Sequence, residues 1–476
     1  EINYRDWSSD VCSSDLPVNL PRLILADDIE DQRAVPPSVL LVQAMKSRGM
    51  CLNIFMSSRK EEDLRLMELL SGDAVTCIDA YTAGNAKNLK ALLQRRSTPD
   101  AIGLICVPLG KRIGDKLFQV YPEPLELAKV LNCGILPVLH ASASAAVTTG
   151  RALSMLSSVS EMRKDVVQGL LFASIRNPRE FQLLEQEYNR RSPILSLGYI
   201  PKSAERDMPT MPEMSPRSAS MKLLQLKSAA LQLGNAARQV EWQIIEAMAR
   251  LNEAWTPVEG PEYSACHLDV AVINRDVALE GEESLEAFRA LGCMVRPCNP
   301  EQDPFPESAD VLYFPHAMTD VAAGRILSSP GFRQGLLESI RDNKPILAVG
   351  SSAVLFGQHY RTAVHSTLEG LGLFPFHAHH VPAETERGVR RIEIRGTKDT
   401  PFIRENEKLR GYEVGGFALA NPGNPDQYCF AYRNMNSEAE TGVSGWSQGC
   451  CFVTGLRPDL WSNLGVLYRW LSQRKC

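Results

Sequence analysis

Residues 343–356 read N-K-P-I-L-A-V-G-S-S-A-V-L-F and decide the fold of the C-terminal half. An apolar run meets Gly350, Ser351 and Ser352, and a second apolar run follows. A strand, a sharp turn and a helix in this order form the geometry that holds a catalytic nucleophile above a parallel sheet. The strained position, often at positive φ, is here a glycine, which tolerates that backbone but has no side chain to attack with. The stretch predicts a nucleophile elbow without its nucleophile; the alternative is a plain buried strand with a Gly-Ser turn.

The composition is that of a globular protein. A chain of 476 residues exceeds one ordinary core, so two or three domains are expected. The formal charge of −5 argues against a nucleic-acid-binding surface. No apolar run approaches the roughly 18 residues of a membrane span. The 12 cysteines are scattered without a C-x-x-C motif, which favours reduced thiols in the cytoplasm over a disulfide framework.

The N-terminus differs from the rest of the chain. Residues 6–16 read D-W-S-S-D-V-C-S-S-D-L, which one reading frame of a widely used sequencing-library adapter would encode. We interpret residues 1–16 as an assembly artefact and exclude them from fold reasoning. A genuine polar tail is the alternative. If the artefact is real, the natural start and any targeting signal are missing.

Apolar runs then alternate with helical patterns. Strands are predicted at residues 21–26, 51–55, 74–78, 101–108, 135–140, 169–174, 268–273, 294–297, 309–314 and 345–349. Helices are predicted at residues 38–48, 61–70, 86–95, 124–131, 148–157, 178–189, 219–255, 282–291 and 330–342. This alternation indicates an α/β fold with parallel sheets, and residues from 390 onward are more β-like. The predicted domains are residues 17–218 and 266–476, joined by a helical linker at residues 219–265.

The loop after the first strand is where phosphates usually bind in such sheets. A P-loop there needs glycines, a lysine and a Ser/Thr, but residues 27–36 read D-D-I-E-D-Q-R-A-V-P. A carboxylate facing a phosphate at ~4 Å costs roughly 1 kcal/mol in water and about 4 at an effective dielectric of 20. We therefore expect no P-loop nucleotide binding, and we interpret the cluster as a solvated loop, with a cation site as the alternative. The positions of this degenerate P-loop are Asp27, Asp28, Glu30, Asp31, Arg33 and Ala34.

Histidines offer few candidates for catalysis. His140 follows a predicted strand, where ligands approach, and is interpreted as structural, with a functional role as the alternative. His377, His379 and His380 lie close together in sequence, but no further ligand types surround them, and a metal site there is an alternative only. No histidine follows His380.

The order of segments from residue 21 onward resembles the cobyrinate a,c-diamide synthase family and its hydrogenobyrinate and siroheme-type relatives. The similarity is clearest in residues 271–356, where A-V-I-N-R-D-V-A, S-A-D-V-L-Y-F-P and K-P-I-L-A-V-G follow the family pattern in order and spacing. Arg410, Gly411 and Glu413 match the family's Arg-Gly-His-Glu motif, with Tyr412 at the histidine.

The resemblance implies a P-loop amidoligase domain related to dethiobiotin synthetase, followed by a class I glutamine amidotransferase domain, each with a mainly parallel sheet. It implies an enzyme that uses ATP and Mg, takes ammonia from glutamine and amidates acetate side chains of a corrin or related tetrapyrrole. The chain departs from the family at the reactive positions. Val349, Gly350, Ser351 and Ser352 stand at the family's Glu-Cys-Gly-Gly, residues 316–320 at its Gly-Gly-Tyr-Pro-Glu, and the Mg-binding position falls near Cys106.

We therefore expect a divergent family member that is catalytically inactive. No catalytic, cofactor-binding or metal residues are predicted, and no base is expected near residue 350 because the family's histidine lies in the C-terminal segment. The expected role is a cytoplasmic binding or scaffold protein linked to cobalamin or siroheme metabolism. Its expected partners are a tetrapyrrole or an active amidase, with a homodimer possible. The alternatives are an active ATP-dependent amidoligase using ammonia or glutamine, and an enzyme using Cys450 or Cys451.

Overall fold

The structure is a computed structural model that describes residues 18–28, 34–57, 61–114, 117–141, 144–162, 166–236, 239–252, 254–259, 263–382, 389–420, 427–435 and 441–473. The proposed artefact at residues 1–16 lies outside this part of the chain. The strands are β1 (Arg22–Asp28), β2 (Leu52–Met56), β3 (Thr76–Cys77), β4 (Ile102–Ile113), β5 (Leu117–Val120), β6 (Ile135–His140), β7 (Gly169–Ile175), β8 (Leu195–Pro201), β9 (Asp269–Ile273), β10 (Met294–Cys298), β11 (Val311–Phe314), β12 (Ile346–Val349), β13 (His359–Arg361), β14 (Thr367–Glu369), β15 (His377–His380), β16 (Arg390–Gly396), β17 (Lys408–Glu413), β18 (Phe417–Ala420), β19 (Phe430–Asn434), β20 (Thr441–Ser444), β21 (Trp446–Gln448), β22 (Cys451–Thr454) and β23 (Leu456–Pro458). The α-helices are α1 (Pro37–Ser47), α2 (Glu61–Ser71), α3 (Ala86–Arg96), α4 (Pro122–Leu131), α5 (Ala145–Met162), α6 (Pro178–Asn189), α7 (Met221–Asn235), α8 (Trp242–Arg250), α9 (Glu283–Ala290), α10 (Thr319–Leu327), α11 (Pro330–Arg341) and α12 (Leu464–Ser472).

The chain divides into two compact units, each assembled from separate segments. The first unit contains Glu1–Phe55, Leu93–Glu205 and Ala229–Gly260. The second unit contains Met56–Leu92, Arg206–Ser228 and Pro261–Cys476. This division is discontinuous in sequence, whereas the predicted domains are continuous, and the predicted boundaries at residues 218 and 265 stay a prediction.

The sheet of the first unit has the strand order β2-β4-β1-β6-β7-β8. Strand β1 lies parallel to β4 and β6, with Ile24 opposite Ile105 and Ile135. Every residue of β1 is buried, as expected for a nearly continuous apolar strand in a parallel sheet. The hairpin strand β5 pairs antiparallel with the end of β4. The carboxyl ends of β1, β6 and β7 therefore meet at one edge of this sheet.

The main sheet of the second unit has the order β10-β9-β11-β12-β22-β21, parallel except for β21. Strand β12 lies between β11 and β22, with Leu347 opposite Tyr313 and Phe452. Two smaller sheets, of order β14-β13-β15-β18 and β20-β19-β16-β17-β23, are largely antiparallel. The predicted α/β class with mainly parallel sheets is confirmed for the large sheet of each unit.

The single helix predicted at residues 219–255 is wrong, because the structure has two helices, α7 and α8. Between them the backbone leaves the helical path and pairs with β8. Val240 forms an antiparallel bridge with Gly198, and the Tyr199 N–H donates to the Gln239 carbonyl at 2.8 Å. These hydrogen bonds use backbone groups that a continuous helix would need for itself. Helices α10 and α12 and strands β5 and β8 were not predicted as such.

None of the helices within the described segments is long and apolar enough to cross a membrane.

A buried arginine fixes the start of β1. Arg22 is 1% exposed, and its Nε donates to the Leu131 carbonyl at 2.6 Å. Its Nη1 and Nη2 donate to the carbonyls of Leu20 at 2.7 Å and Asn132 at 2.9 Å. The guanidinium also lies 5.0 Å from the centre of the Trp255 ring, so charge and donors are both satisfied inside the first unit.

We predict that Arg22→Met destabilises the protein by about 3–5 kcal/mol, because removal of a buried arginine leaves its acceptors without these donors. The free energy of unfolding from a urea titration measures the change. Arg179→Met on α6 is the matched control, since Arg179 is exposed. A change in Arg22→Met no larger than in the control would contradict the prediction.

Candidate functional site

The turn after β12 has the predicted backbone. The strand ends at Val349, and Gly350 has a φ of +58°, in the left-handed region that favours glycine. The following segment, Gly350–Phe356, is a 3-10 helix instead of the α-helix typical of an elbow, and all its residues are buried. The predicted strand, sharp turn and helical segment are therefore present. Whether they are a former nucleophile elbow stays a prediction.

The space above Gly350 is filled by an imidazole. A Cβ atom on Gly350 would lie 2.7 Å from Nδ1 and 2.8 Å from Cβ of His316, closer than real Cβ contacts allow. A side chain at this position would need both a strained backbone and a displaced His316. Glycine is thus required here by conformation and by space.

The two serines after Gly350 are tied to the backbone of the neighbouring loop. Ser351 Oγ donates to the Ala317 carbonyl at 2.6 Å and accepts from the Ala317 N–H at 2.9 Å. Ser352 Oγ donates to the Pro315 carbonyl at 2.5 Å. Both side chains are buried, at 2% and 6% exposure. Each hydroxyl proton is therefore given to a carbonyl, and neither serine is poised as a nucleophile.

His316 is the residue that the sequence analysis missed. Its Nδ1 accepts from the Ser351 N–H at 3.0 Å, which places the ring proton on Nε2. Nε2 lies 2.8 Å from Glu61 Oε2, and His316 is 1% exposed. The expectation that no base lies near residue 350 is wrong. His316 follows β11, and β11 lies parallel to β12, so His316 reaches the turn that follows β12. The signal was available: in a parallel sheet, neighbouring strands bring their carboxyl ends to the same edge.

A buried carboxyl group adds to this edge. Glu280 is 1% exposed and accepts from Tyr313 Oη at 2.6 Å. Burial raises the pKa of Glu280 to about 6. Its second oxygen, Oε2, has no hydrogen-bond partner among the described residues. No motif marks Glu280 in the sequence, because it lies in an acidic stretch at residues 280–283.

The family-like motif in β17 makes contacts that hold the second unit together. Arg410 donates to the carbonyls of Tyr81 at 2.8 Å and Gly84 at 3.1 Å, and its guanidinium lies 4.6 Å above the Tyr81 ring. A Cβ on Gly411 would lie 2.4 Å from a backbone carbonyl oxygen of β23. Glu413 forms an ion pair with an arginine of β16 at 3.3 Å. These contacts give Arg410, Gly411 and Glu413 structural roles in the second unit.

The acidic residues that end β1 are not in a solvated loop, so that interpretation is wrong for Asp27 and Asp28. Asp27 is 3% exposed, and its two oxygens accept from the Ser38 N–H at 3.1 and 3.2 Å. Asp28 is fully buried, and its Oδ2 accepts from Arg112 Nη2 at 2.8 Å and from the His140 N–H at 3.2 Å. The Asp27 carboxyl group accepts a backbone hydrogen bond at the start of α1, and the Asp28 carboxyl group forms a buried ion pair with Arg112.

The other positions of the predicted degenerate P-loop add little. Glu30, Asp31 and Arg33 lie outside the described residues, and Ala34 is half-buried. Cys106, near the expected Mg-binding position, lies inside β4 opposite Leu25.

The cysteines and histidines named as candidates from the sequence lie in separate places. Burial raises the pKa of the Cys451 thiol well above its ordinary value, and Cys450 is disulfide-bonded. His377 stacks on His359 with ring centres 5.5 Å apart. In the part of the chain that the structure describes, no group of three or more His, Cys, Asp and Glu side chains could hold a metal ion.

We predict that Gly350→Ala destabilises the protein by about 2–4 kcal/mol. This is the sum of the cost of an alanine in left-handed backbone and the cost of overpacking its Cβ against His316. Gly350→Cys will be destabilised similarly and will release no ammonia from glutamine, because its side chain meets His316. Urea titrations and an ammonia assay measure both effects. Gly324→Ala on α10 is the matched control, since its Cβ would meet nothing within 4 Å. Stability of Gly350→Ala equal to that of the control would refute the packing argument.

A second prediction concerns pH. Burial raises the pKa of Asp27 from 3.8 to about 7, although hydrogen bonding with Ser38 opposes the shift. Between about pH 4 and 7, Asp27 is protonated in the folded state and ionised in the unfolded state, so unfolding releases a proton. The free energy of unfolding therefore falls by about 1.4 kcal/mol per pH unit over this range. Asp27→Asn keeps an oxygen for Ser38 and should flatten this slope in urea titrations at several pH values. The exposed Asp100→Asn should leave the slope unchanged; a slope unaltered by Asp27→Asn would contradict the assignment.

Comparisons with known proteins place the chain among its relatives. No protein-family model matches it. It is 19% identical over 450 residues to a cobyrinate a,c-diamide synthase of Listeria monocytogenes, covering 90% of this chain and 93% of that protein. A protein of the same name from Streptococcus sanguinis is 21% identical over 355 residues, covering 73% and 76%. A hydrogenobyrinate a,c-diamide synthase of Agrobacterium fabrum is 25% identical over 169 residues, covering 35% and 37%.

Among solved structures, PurLQS from Thermotoga maritima aligns with 44% of this chain and 100% of its own at 12% identity. The TM-score of 0.34 is too low to establish a shared fold. The resemblance therefore rests on the sequence relatives, whose similarity runs through both halves of the chain. Along most of its length the chain is similar to cobyrinate a,c-diamide synthases.

Proposed function

We propose that this chain has lost the family's amidoligase activity and serves as a binding or scaffold protein in tetrapyrrole metabolism, of the cobalamin or siroheme type. One observation carries the proposal. Where the family resemblance places a cysteine nucleophile, Gly350 has positive φ, and its Cβ position lies 2.7 Å from His316 Nδ1. The missing thiol is thus accompanied by a neighbour that occupies its space.

The surrounding contacts support this proposal. Ser351 and Ser352 give their hydroxyl protons to buried carbonyls, so they do not replace the thiol. His316 uses Nδ1 to bind the Ser351 backbone, so that nitrogen is not available as a base in this arrangement. The polar groups at the turn are used to hold the turn itself. This is what a fold kept without its original chemistry would require.

The first unit supports the same proposal for the nucleotide. The sequence after β1 has neither the glycines nor the lysine of a P-loop. Asp27 and Asp28 are buried at this position and engage Ser38, Arg112 and His140. A phosphate group at the end of β1 would have to approach these two buried acids. We therefore include in the proposal that the protein uses neither ATP nor Mg.

The ligand class follows from the family. The relatives are named for cobyrinate and hydrogenobyrinate, and the match to the first of them covers 90% of this chain. The proposed ligand is a tetrapyrrole carrying acetate side chains, and the proposed protein partner is an active amidase or another enzyme of tetrapyrrole metabolism in the cytoplasm. A homodimer is compatible with this role.

The test compares binding with turnover. The full chain is incubated with cobyrinate, ATP, Mg and either glutamine or ammonia, and ammonia, ADP and product mass are measured. We expect no ammonia release, no ADP and no amidated product, whereas titration with cobyrinate alone should shift the corrinoid absorbance at micromolar protein. The Listeria monocytogenes relative serves as the positive control.

Each contrary result has a distinct meaning. Ammonia release above a no-protein blank would show that a glutaminase survives. Product formed only with free ammonia would show an active amidoligase, the alternative function. A calorimetric titration with ATP is expected to show affinity no better than millimolar, and tighter binding would overturn the proposal for the first unit. Absence of any corrinoid absorbance change would refute the tetrapyrrole ligand.

A further inference from the structure

The small sheet β14-β13-β15-β18 of the second unit carries two histidines on its outer face. Tyr360 of β13 and Ala378 of β15 are opposite each other and buried, at 0% and 4% exposure. Side chains alternate between the two faces of a strand. The residues just before them, His359 on β13 and His377 on β15, therefore lie on the other face. His359 is exposed and His377 is half-buried.

The two histidines are direct neighbours across the strands. Strands β13 and β15 are parallel, so the residue before Tyr360 is opposite the residue before Ala378. The imidazole rings of His359 and His377 are stacked, with ring centres 5.5 Å apart and an angle of 7° between their planes. Neither ring forms a hydrogen bond or an ion pair with another described residue. The fold therefore makes no use of the ring nitrogens of this pair.

The spacing of the rings suits two ligands of one metal ion. Imidazole nitrogens bind Zn²⁺ at about 2.0–2.1 Å, so two of them in a tetrahedral shell lie about 3.3 Å apart. Rotation about the Cβ–Cγ bond turns a nitrogen toward the partner ring and leaves the ring centre nearly in place. This torsion has a broad energy profile in histidine, so the rotation costs little. With ring centres 5.5 Å apart, nitrogens turned toward each other are separated by roughly 3 Å.

The neighbouring residues of the sheet define how many ligands the protein supplies. Glu369 of β14 is opposite His359 and adds a negative charge beside the pair. His379 follows His377 on the same face of β15, but it is opposite Arg361, whose positive charge opposes a cation there. The described residues include no set of three His, Cys, Asp or Glu side chains placed to hold a metal ion. Water must therefore complete the coordination shell of an ion held by the pair.

The type of donor selects the class of ion. Imidazole nitrogen is a good ligand for Zn²⁺, Ni²⁺ and Cu²⁺, whereas Mg²⁺ and Ca²⁺ prefer oxygen ligands. Affinity for divalent ions at such sites rises to Cu²⁺ and falls again at Zn²⁺. Two imidazoles and water should therefore bind Cu²⁺ more tightly than Ni²⁺ or Zn²⁺.

We propose that His359 and His377 form a surface site for a divalent transition-metal ion. One nitrogen of each ring binds the ion, and water occupies the open positions. Binding replaces the ring stack by two metal–nitrogen bonds and links β13 to β15. The carboxylate of Glu369 favours the approach of the cation.

This site is independent of the proposed loss of amidoligase activity. It uses neither Gly350 nor His316, and it requires no tetrapyrrole and no nucleotide. A protein that fails to bind a transition metal at His359 can still bind a tetrapyrrole, and the reverse also holds. A failure of one proposal therefore leaves the other unaffected.

The experiment measures metal affinity directly. The full chain, without a histidine tag, is titrated with NiCl₂ and with CuCl₂ in a calorimeter. We expect His359→Gln and His377→Gln each to weaken binding at least about tenfold, because the second imidazole binds at a high effective concentration once the first has bound. Both side chains lie on the outer face, so the variants should keep the circular dichroism of the wild type.

His365→Asn is the matched control. His365 is also an exposed histidine, between β13 and β14, and its φ of +61° is a conformation that asparagine tolerates. This variant should keep the affinity of the wild type for both ions.

Electron paramagnetic resonance of the Cu²⁺ complex identifies the ligands. The wild-type spectrum should show coupling to two imidazole nitrogens, and the spectra of His359→Gln and His377→Gln should each show one. A structural effect of the substitutions would not change this number. Equal affinity in the wild type and the two variants would indicate an adventitious ion only and overturn the proposal. A wild-type spectrum without two coupled nitrogens, or an equal loss of affinity in His365→Asn, would overturn it as well.

Discussion

The contact between His316 and Gly350 is the constraint that defines the second unit's candidate site. Parallel strands β11 and β12 are neighbours, so the residues just beyond their carboxyl ends are forced together. His316 fills the position where a side chain at residue 350 would lie, at 2.7 Å from the hypothetical Cβ. The serines that follow bind the loop that carries His316, and the turn, the loop and the imidazole stabilise one another. Introducing a side chain at residue 350 would therefore require changes to several residues at once.

The two sheet edges of this protein differ in how they treat polar groups. At β12, two serine hydroxyls and the His316 imidazole form hydrogen bonds that close the turn. At β7 of the first unit, Ser174 has a strained backbone with a φ of +63° and is half-buried. Strain of this kind persists only where surrounding contacts enforce it.

Buried carboxyl groups recur at these edges. Asp27, Asp28 and Glu280 are each at most 3% exposed. Asp28 is neutralised by Arg112, whereas burial raises the pKa values of Asp27 and Glu280 to about 7 and 6. An unpaired acid removed from water avoids its desolvation penalty by keeping its proton. From the local sequence alone, Asp27 and Asp28 were expected in a solvated loop. Their burial could not be predicted there, because burial depends on how the whole chain packs.

The sequence by itself determined the α/β class, most strand and helix positions of the large sheets, the positive φ expected at Gly350 and the resemblance to cobyrinate a,c-diamide synthases. These follow from hydrophobic periodicity and short-range turn chemistry, which adjacent residues carry. It did not determine the break between α7 and α8, since residues 239–241 pair with β8, about 40 residues away in sequence. Nor did it place His316 at Gly350 or join His140, Ser174 and Glu205 by hydrogen bonds. Only the tertiary structure decided those contacts, because parallel strands bring distant segments to a common edge, and no local pattern records which residues will meet there.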